Sequence, residues 1–286
     1  MTLFFSRKNH TKIALLAIFA LLCGASDSTA RDRKSEMLNS EKTSFSSLSA
    51  EDPIVEFVAH SRGTMQLVIG NKNYSSWSLR PWLVLRHFRI PFTERRIPLY
   101  QGESKAALLE HSPSGRAPVL HDGTTTVWDS LAIIEYIAEK HPEKGIWPVD
   151  REAKAIARSI SAEMHSGFQA LRNRLPMNCR ARGRTRALTE EAERDVMRVQ
   201  EIWTSCRREF GDRGEWLFGD FGAADAMFAP VVIRFNGYGI RCDERGSAYV
   251  DSVSGHPALQ EWMLQAQGES EVVAELEVGD DAVLDR

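Results

Sequence analysis

The sequence has few cysteines, no excess of charge of either sign and no apolar run long enough to cross a membrane. Its 286 residues include four cysteines, none in a Cys-x-x-Cys pair, which excludes a disulfide scaffold, a zinc ribbon and a dithiol redox motif. The 36 basic and 39 acidic residues give a net charge of −3, so nucleic acid is not an expected partner. No apolar run approaches the roughly 18 residues that a membrane-spanning helix needs.

The composition is that of an ordinary globular protein with one or two domains. Hydrophobic residues make up 43% and charged residues 26% of the chain, so a sizeable core can be buried and wholesale disorder is not expected. The simplest expectation is a soluble, cytoplasmic protein, although the N-terminal segment leaves secretory or organellar targeting open.

Residues 1–64 differ from the rest of the chain. Basic residues at positions 7, 8 and 12 precede an unbroken apolar run of ten residues, Ile13 to Leu22, which is the layout of a signal peptide. The Ser-rich stretch that follows has no clear period, so disorder is expected there. Three interpretations stay open: a presequence, a start codon placed upstream of a true start at Met65, and a structural N-terminal element.

Residues 65–142 have the pattern of a small α/β domain. The β-α-β order at its start implies a parallel pair of strands with a right-handed crossover. Pro81 is expected in the first turn of its helix, which favours a helix start near Ser78. Strands are predicted over residues 66–70, 92–99, 117–121 and 124–128, and helices over residues 78–88, 105–111 and from 130 onward.

Residues 150–268 have the pattern of a helical bundle. Apolar residues three or four positions apart predict helices over residues 153–175, 188–210, 223–235 and 257–267. The acidic tail, residues 269–286, holds seven acids and one base and is expected to be loose.

Four short motifs, in this order, resemble those of the glutathione S-transferases. Residues 74–80 (YSSWSLR) are similar to the active-site turn of serine-type members such as the zeta class, and residues 112–120 (SPSGRAPVL) are similar to Asn-Pro-x-Gly-Lys-Val-Pro-Val-Leu. Residues 129–137 resemble a Glu-Ser-x-Ala-Ile segment, and residues 218–230 resemble the start of a buried helix in the second domain. The resemblance covers about residues 65–267 and implies an α/β thioredoxin-like N-terminal domain plus an all-α C-terminal helical bundle.

The motifs depart from the family pattern at four positions. Trp77 stands where the zeta class has Cys, Ser112 replaces Asn, Asp129 replaces Glu, and Gly222 replaces the usual capping Ser. Because the turn of residues 74–80 has no cysteine, thiol–disulfide exchange of the omega type is not expected.

The resemblance implies that Ser75 is catalytic and activates glutathione. A free thiol has a pKa of about 8.5, and lowering it by roughly two units needs about 2.7 kcal/mol of preferential stabilisation of the thiolate. A hydroxyl donor contributes about 1.5–3 kcal/mol and a helix N-terminus about 0.3–1 kcal/mol. Ser75 lies just before the first predicted helix and can supply both. A plain capping role for Ser75 and a donor role for Tyr74 are the alternatives.

The resemblance also implies a glutathione-binding site that needs no metal. The cysteinyl amide would pair with the backbone of Ala117, which precedes a predicted cis Pro118. Asp129 and Ser130 would hold the γ-glutamyl end, the hydroxyl and the helix N-terminus binding its carboxylate. Arg116 would meet the glycyl carboxylate, with a solvated turn charge as the alternative.

A small electrophile is the second substrate that the resemblance implies. Its predicted pocket is lined by Tyr74, Trp77, His165, Phe168 and Arg172, the last three about one turn apart on the first long helix. The arginines that follow this helix either form a solvated loop or attract carboxylate-bearing substrates.

The leading function is therefore that of a glutathione S-transferase, active in detoxification as a homodimer. One alternative is cis–trans isomerisation of a maleylacetoacetate-like dicarboxylate, in which the thiolate adds and leaves. The other is a non-catalytic module that uses the same fold to bind ligands.

Overall fold

A four-stranded mixed sheet organises the first part of the chain. The strands are β1 (Met65–Ile69), β2 (Phe92–Arg96), β3 (Val119–Asp122) and β4 (Thr125–Trp128), in the spatial order β2-β1-β3-β4. As the β-α-β pattern predicts, β1 and β2 are parallel, while β3 pairs antiparallel with both β1 and β4. This computed structural model describes residues 64–281, so the expectations for residues 1–63 lie outside it.

Three helices cover the sheet: α1 (Ser76–His87), α2 (Ser104–Leu109) and α3 (Ser130–Lys140). The expected start of α1 near Ser78 is wrong, because Ser75 is the N-cap and Pro81 lies inside the helix. The central strand β1 is buried on both faces. Its Leu67 and Ile69 join the main core, while Val68 packs in a smaller cluster.

The second part of the chain is mainly helical. Its helices are α4 (Arg151–Ser166), α5 (Gln169–Arg174), α6 (Glu190–Phe210), α7 (Ala223–Tyr238), α8 (Glu244–Gly255) and α9 (Pro257–Gln267). α7 is buried along nearly its whole length and contacts both α1 and α4, so the two parts share one core. Asp225 caps α7 by accepting the backbone N–H groups of Leu217 and Gly222, and burial raises its pKa to about 6.

The single long helix expected over residues 153–175 is wrong. The chain leaves the helix at Gly167, whose backbone is extended, and Phe168 adopts the left-handed conformation with φ of 59°. Leu171 and Leu175 are nevertheless buried, so the apolar spacing continues across the break. Spacing alone could not reveal it.

The acidic tail is not loose as far as residue 281. Its last described residues form β6 (Asp280–Asp281), which pairs antiparallel with β5 (Arg184–Thr185). Val273 is buried, and a short 3-10 helix covers Ala274–Leu276. The tail therefore packs on the segment that follows α5.

Within residues 64–281, no helix is both long enough and apolar enough to span a membrane.

Candidate functional site

The turn between β1 and α1, residues 71–75, is a tight hydrogen-bonded loop. The carbonyl of Asn71 accepts the backbone N–H groups of Tyr74 and Ser75, at 3.3 and 2.8 Å. The Asn71 side chain accepts the N–H of Leu99 at 2.6 Å, which ties the loop to the chain after β2. This β1–α1 turn therefore delivers Ser75 to the N-terminus of α1.

A chain of hydrogen bonds ends at the Ser75 hydroxyl. Ser78 Oγ accepts the backbone N–H of Gly70 at 3.0 Å and lies 2.7 Å from Ser75 Oγ. Ser75 Oγ also accepts the N–H of Ser78 at 3.4 Å. A hydroxyl has one proton and two lone pairs, so either serine of this pair can donate to the other. When Ser78 donates to Ser75, the Ser75 proton is left for an outside acceptor. At this place the acceptor also faces the positive end of the helix dipole.

The Ala117–Pro118 peptide bond just before β3 is cis, as the resemblance predicts. β3 is the neighbour of β1 in the sheet, through the pairs Gln66–His121, Leu67–Leu120 and Val68–Val119.

Asp129 and Ser130 form the start of α3. Asp129 Oδ1 caps the helix by accepting the N–H of Leu131 at 2.9 Å, and its backbone has a φ of 79°. For a residue other than glycine such a conformation costs roughly 1–3 kcal/mol and is typical of functional sites. Ser130 is buried, and its Oγ has no hydrogen-bond partner among the described residues.

Trp77 is the centre of a cationic and aromatic cluster. The guanidinium carbons of Arg80 and Arg172 lie 4.3 and 4.6 Å from its ring centroid. The His165 ring meets the Trp77 ring edge-on at 5.2 Å. Asp129 joins this group, because His165 Nε2 lies 3.3 Å from its Oδ2. The domain of the sheet and the helical bundle thus both contribute to one site.

Several polar atoms of the helices α1, α3, α4 and α5 are buried without a hydrogen-bond partner in the described part of the chain. Roughly 90% or more of buried polar groups in proteins are paired, so a concentration of unpaired groups marks a place that a ligand can complete. We call these residues the unpaired cluster: Arg80 (Nε and Nη1), Ser130 (Oγ), Ser161 (Oγ), His165 (Nδ1) and Arg172 (Nε).

The unpaired cluster is electropositive. Burial lowers the pKa of Arg80 well below its usual range, and the nearby charges of Arg172 and Arg234 lower it further, while Asp129 opposes them. Burial is also the main reason why the pKa of His165 is lowered, so this imidazole is neutral near pH 7. An anion placed among these groups would relieve the repulsion between the arginines.

Some of the predicted site residues lie elsewhere. Phe168 is buried in the main core, because the helix break turns it inward, so the pocket prediction for Phe168 is wrong. The prediction for Tyr74 is wrong too, since this side chain is buried and its hydroxyl already bonds Arg180, Glu277 and the N–H of Val273. Arg116 is exposed at the turn before Pro118.

The site also contains Arg80, Ser78 and Ser161, which were not predicted as site residues. Arg80 lies three residues after Trp77 and Ser78 three residues after Ser75, so each pair shares one face of α1. The spacing of three residues could therefore have indicated that Arg80 and Ser78 belong to the site. Ser161 on α4 offered none, because a single serine on an amphipathic helix is ordinary.

Cysteine chemistry has no candidate in residues 64–281. Burial raises the pKa of Cys179 and Cys206 to about 12 and that of Cys242 to about 11. Thiols with such values are protonated near neutral pH and unreactive.

Comparison with known proteins places this architecture in a family. Residues 74–140 match the model of the glutathione S-transferase N-terminal domain, and residues 189–264 match that of the glutathione S-transferase C-terminal domain. The two matches fall on the sheet domain and the helical bundle.

Individual proteins show the same likeness. A probable maleylacetoacetate isomerase of Caenorhabditis elegans is 35% identical over 98 residues, which are 34% of this chain and 45% of that protein. Glutathione S-transferase 1 of Dianthus caryophyllus is 28% identical over 186 residues, 62% of this chain and 80% of that protein. Among solved structures, a glutathione transferase homologue from Burkholderia with bound glutathione aligns with a TM-score of 0.55 and 24% identity, covering 72% of this chain and all of that one.

Proposed function

This chain belongs to the glutathione S-transferase family of enzymes, and from that premise we propose that it activates glutathione as a thiolate for attack on a small electrophile. The observation that carries this proposal is the hydrogen-bond chain from Gly70 through Ser78 to Ser75 at the N-terminus of α1. With Ser78 as the donor of this pair, the hydroxyl proton of Ser75 is left for an outside acceptor, as a thiolate requires.

The free energies that Ser75 and the N-terminus of α1 can contribute are large enough to lower the thiol pKa of glutathione. One charge-assisted hydrogen bond from Ser75 is worth about 1.5–3 kcal/mol, and the end of α1 adds about 0.3–1 kcal/mol. Together they cover the roughly 2.7 kcal/mol that a drop of two units in the thiol pKa needs. Polarisation of Ser75 by Ser78 strengthens the bond further, because hydrogen bonds in a chain reinforce one another.

The γ-glutamyl end of glutathione would bind where α3 begins. Ser130 Oγ is buried without a partner in the described residues and lies at a helix N-terminus, which suits a carboxylate. Asp129 Oδ1 is taken up by the cap, so Oδ2, now beside His165, is the atom left for the ammonium group. The cysteinyl amide would pair with the backbone of Ala117. Arg116 directly precedes Ala117 and is exposed, so it would meet the glycyl carboxylate.

The second substrate would occupy the side of the site formed by Trp77, His165 and Arg172. The Trp77 ring contacts His165 and the guanidinium groups of Arg80 and Arg172, so all of these side chains would line that side together. Arg172 Nη2 donates to the backbone carbonyls of Met164 and His165, and these hydrogen bonds fix the position of the guanidinium. Its Nε has no partner among the described residues.

A maleylacetoacetate-type cis–trans isomerisation is the second candidate, and two observations favour it. Arg80 and Arg172 flank Trp77 with unpartnered nitrogen atoms, which suits a substrate that carries carboxylates. In addition, the relative from Caenorhabditis elegans is named a probable maleylacetoacetate isomerase. In this reaction the thiolate adds to the double bond, rotation follows, and the thiolate leaves.

The experiment that tests the proposal is a pH titration of the ultraviolet absorbance of thiolate with glutathione bound. We expect a thiol pKa about two units below the free value of about 8.5 in the wild type, and a value close to the free one in Ser75→Ala. An unchanged thiol pKa on binding would leave only a non-catalytic module. Turnover of an aryl halide against that of a cis-enedioate then separates the transferase from the isomerase.

The wider biological setting belongs to the same proposal. We place the enzyme in the cytoplasm as a homodimer with a role in detoxification. The supporting argument is membership of the family, and sedimentation of the purified full chain tests the oligomeric state.

A further inference from the structure

The acidic tail reaches back to the β1–α1 turn. We call residues 269–281 the C-terminal strap. The Glu269 side chain is only 6% exposed, and its two carboxylate oxygens accept the backbone N–H groups of Lys72 and Asn73 at 2.7 and 3.0 Å. Hydrogen bonds from N–H groups to a carboxylate are about twice as strong as those between neutral groups. One side chain thus holds two consecutive peptides of the turn that presents Ser75.

The remainder of the strap is anchored next to the same turn. The Tyr74 hydroxyl donates to Glu277 Oε1 at 2.5 Å and accepts from Arg180 Nη2 and the N–H of Val273, at 2.8 and 3.2 Å. Arg180 also donates to the carbonyls of Glu269 and Glu271, each through one Nη atom. For the arginines that follow the first long helix, the sequence left two alternatives open: a solvated loop, or a site that attracts carboxylate-bearing substrates. In the structure, Arg180 of this segment binds the strap.

The turn has further partners on this side, all from the helical bundle. The carbonyl of Asn73 accepts the N–H of Cys179 at 3.1 Å, and its side chain accepts the N–H of Arg180 at 3.0 Å. The carbonyl of Lys72 accepts Trp262 Nε1 at 2.9 Å. Within residues 64–281, only Glu269 pairs the N–H groups of Lys72 and Asn73, so its loss leaves two buried donors without partners there.

We propose that Glu269 is a positioning residue, through which the C-terminal strap fixes the β1–α1 turn and thereby the Ser75 hydroxyl. The proposal rests on the proposed function, because it assigns Ser75 to glutathione. Asn71 bonds both Tyr74 and Ser75, so a shift of the Lys72 and Asn73 peptides moves the cap residue as well. A misplacement of about 1 Å at a reacting group can cost up to about 100-fold in rate.

The test compares Glu269→Gln with Glu275→Gln. Gln has the shape of Glu, but its amide nitrogen cannot accept a hydrogen bond. Glu275 lies on the same strap and is exposed, so its variant removes the same charge without touching the turn. Each full-length variant is assayed for kcat, KM for glutathione, the pKa of the bound thiol, and hydrogen exchange at the amides of Lys72 and Asn73.

In Glu269→Gln we expect kcat to fall roughly 10-fold, the thiol pKa to rise by about half a unit or more, and the two amides to exchange at least about 10-fold faster. Glu275→Gln should match the wild type in all four. A purely structural role would lower the melting temperature of Glu269→Gln but leave kcat and the thiol pKa unchanged in the folded protein, and that result would overturn the proposal.

Failure of the proposal and failure of the proposed function are separable. A wild type that neither binds glutathione nor shifts its thiol pKa would refute the proposed function, and the role of Glu269 with it. A wild type that does both, beside a Glu269→Gln variant indistinguishable from Glu275→Gln, would refute the role of Glu269 alone. Glu269→Asp adds a second check, because its shorter side chain keeps the charge but can reach only one of the two amides. An intermediate kcat is therefore expected.

Discussion

Two charged clusters flank the β1–α1 turn, and they differ in how completely they are paired. On one side, both carboxylate oxygens of Glu269 and of Glu277 in the C-terminal strap are paired, with backbone N–H groups, Tyr74, Asn178 and arginines, and Glu271 Oε2 is the one strap atom that is buried without a partner in the described chain. On the other side, Arg80 and Ser130 are more deeply buried than Glu277 and carry atoms with no partner in the described chain. A structural cluster needs most of its polar groups paired, since a buried polar group without a partner costs about 1–3 kcal/mol.

The unpaired cluster therefore has a cost that a ligand can remove. Arg80, 1% exposed, lies near the charges of Arg172 and Arg234, with Asp129 as the counter-charge. An enzyme that keeps such an arrangement gives up stability in its free form and regains it on binding. The comparison predicts that variants in the unpaired cluster change ligand binding, whereas variants in the strap first change stability and the geometry of the turn.

The largest effect is expected for Ser75→Ala, which removes the group that lies between the clusters. Turnover should fall about 10–100-fold, the worth of one good hydrogen bond to a thiolate. Because Ser75 is also the N-cap of α1, we expect a loss of about 0.5–2 kcal/mol in the free energy of unfolding. Steady-state kinetics and urea unfolding measure the two. Ser76→Ala, one residue along, is the control and should lose neither. Normal turnover in Ser75→Ala, together with a loss in Tyr74→Phe, would reassign the donor.

The difference between the two clusters is tested directly by Arg80→Met and Tyr74→Phe. Arg80→Met removes an unpaired buried cation, so glutathione or substrate affinity should fall roughly 10-fold while the free energy of unfolding stays level or rises. Tyr74→Phe removes a fully paired hydroxyl and should do the reverse, with lower stability and a glutathione affinity close to that of the wild type. Isothermal titration and thermal melts decide. If both variants lose stability alike, the distinction between paired and unpaired clusters does not hold.

Ser78→Ala tests the role of Ser75, because it removes only the other hydroxyl of the hydrogen-bond chain that runs from Gly70 through Ser78 to Ser75. The N–H of Gly70 loses its acceptor, and Ser75 loses the donor that directs its proton outward. We expect a fall in turnover of roughly 3–10-fold, smaller than for Ser75→Ala, with part of the shift in thiol pKa lost. A fall as large as that of Ser75→Ala would mean that Ser78 itself meets the thiol.

Much of the fold could be predicted from local patterns. The strands β1 and β3 contain short apolar runs, the first ended by Gly70 and the second preceded by Pro118, and the buried helix α7 is an apolar helical stretch. The break at Gly167 could not, because the three-and-four spacing of apolar residues runs through it. The helix α8 was missed as well, since its sequence, ERGSAYVDSVSG, is rich in Gly and Ser and has few apolar residues.

Among the residues of the site, too, those with a local sequence signal could be predicted and those that depend on distant contacts could not. Ser75 and Ser130 lie at helix starts, where a short motif and a capping position coincide, so the sequence indicates them. The contacts of the strap could not be predicted, because acidic residues on a polar tail are typical of a solvated segment and their partners are distant in the sequence. Glu269 lies 197 positions from Lys72. Tyr74 was misplaced for the same reason, since its hydroxyl partners lie 106 and 203 positions away. Contacts at such separations leave no local pattern.

The smallest expected effect concerns the strap at low pH. Burial by itself would raise the pKa of Glu277, but hydrogen bonds from Tyr74 and Arg184 outweigh it, so the pKa lies below the ordinary value of 4.5. The pKa of Glu271 is lowered in the same way, chiefly by Arg96, against the effect of burial. A carboxylate whose folded pKa is depressed contributes stability that is complete above the unfolded pKa and disappears as the pH falls through the folded one.

The free energy of unfolding should therefore decline between about pH 5 and pH 3 more steeply in the wild type than in Glu277→Gln, which has no group left to protonate at this position. Urea unfolding across that range measures the difference, and Glu275→Gln, exposed on the same strap, should follow the wild type. Because Tyr74 belongs to the β1–α1 turn, release of Glu277 by acid should also speed hydrogen exchange of that turn before the whole protein unfolds. Parallel pH curves for the wild type and Glu277→Gln would show that the pairing of the strap contributes nothing to stability. The contrast with the unpaired cluster would then have no energetic basis.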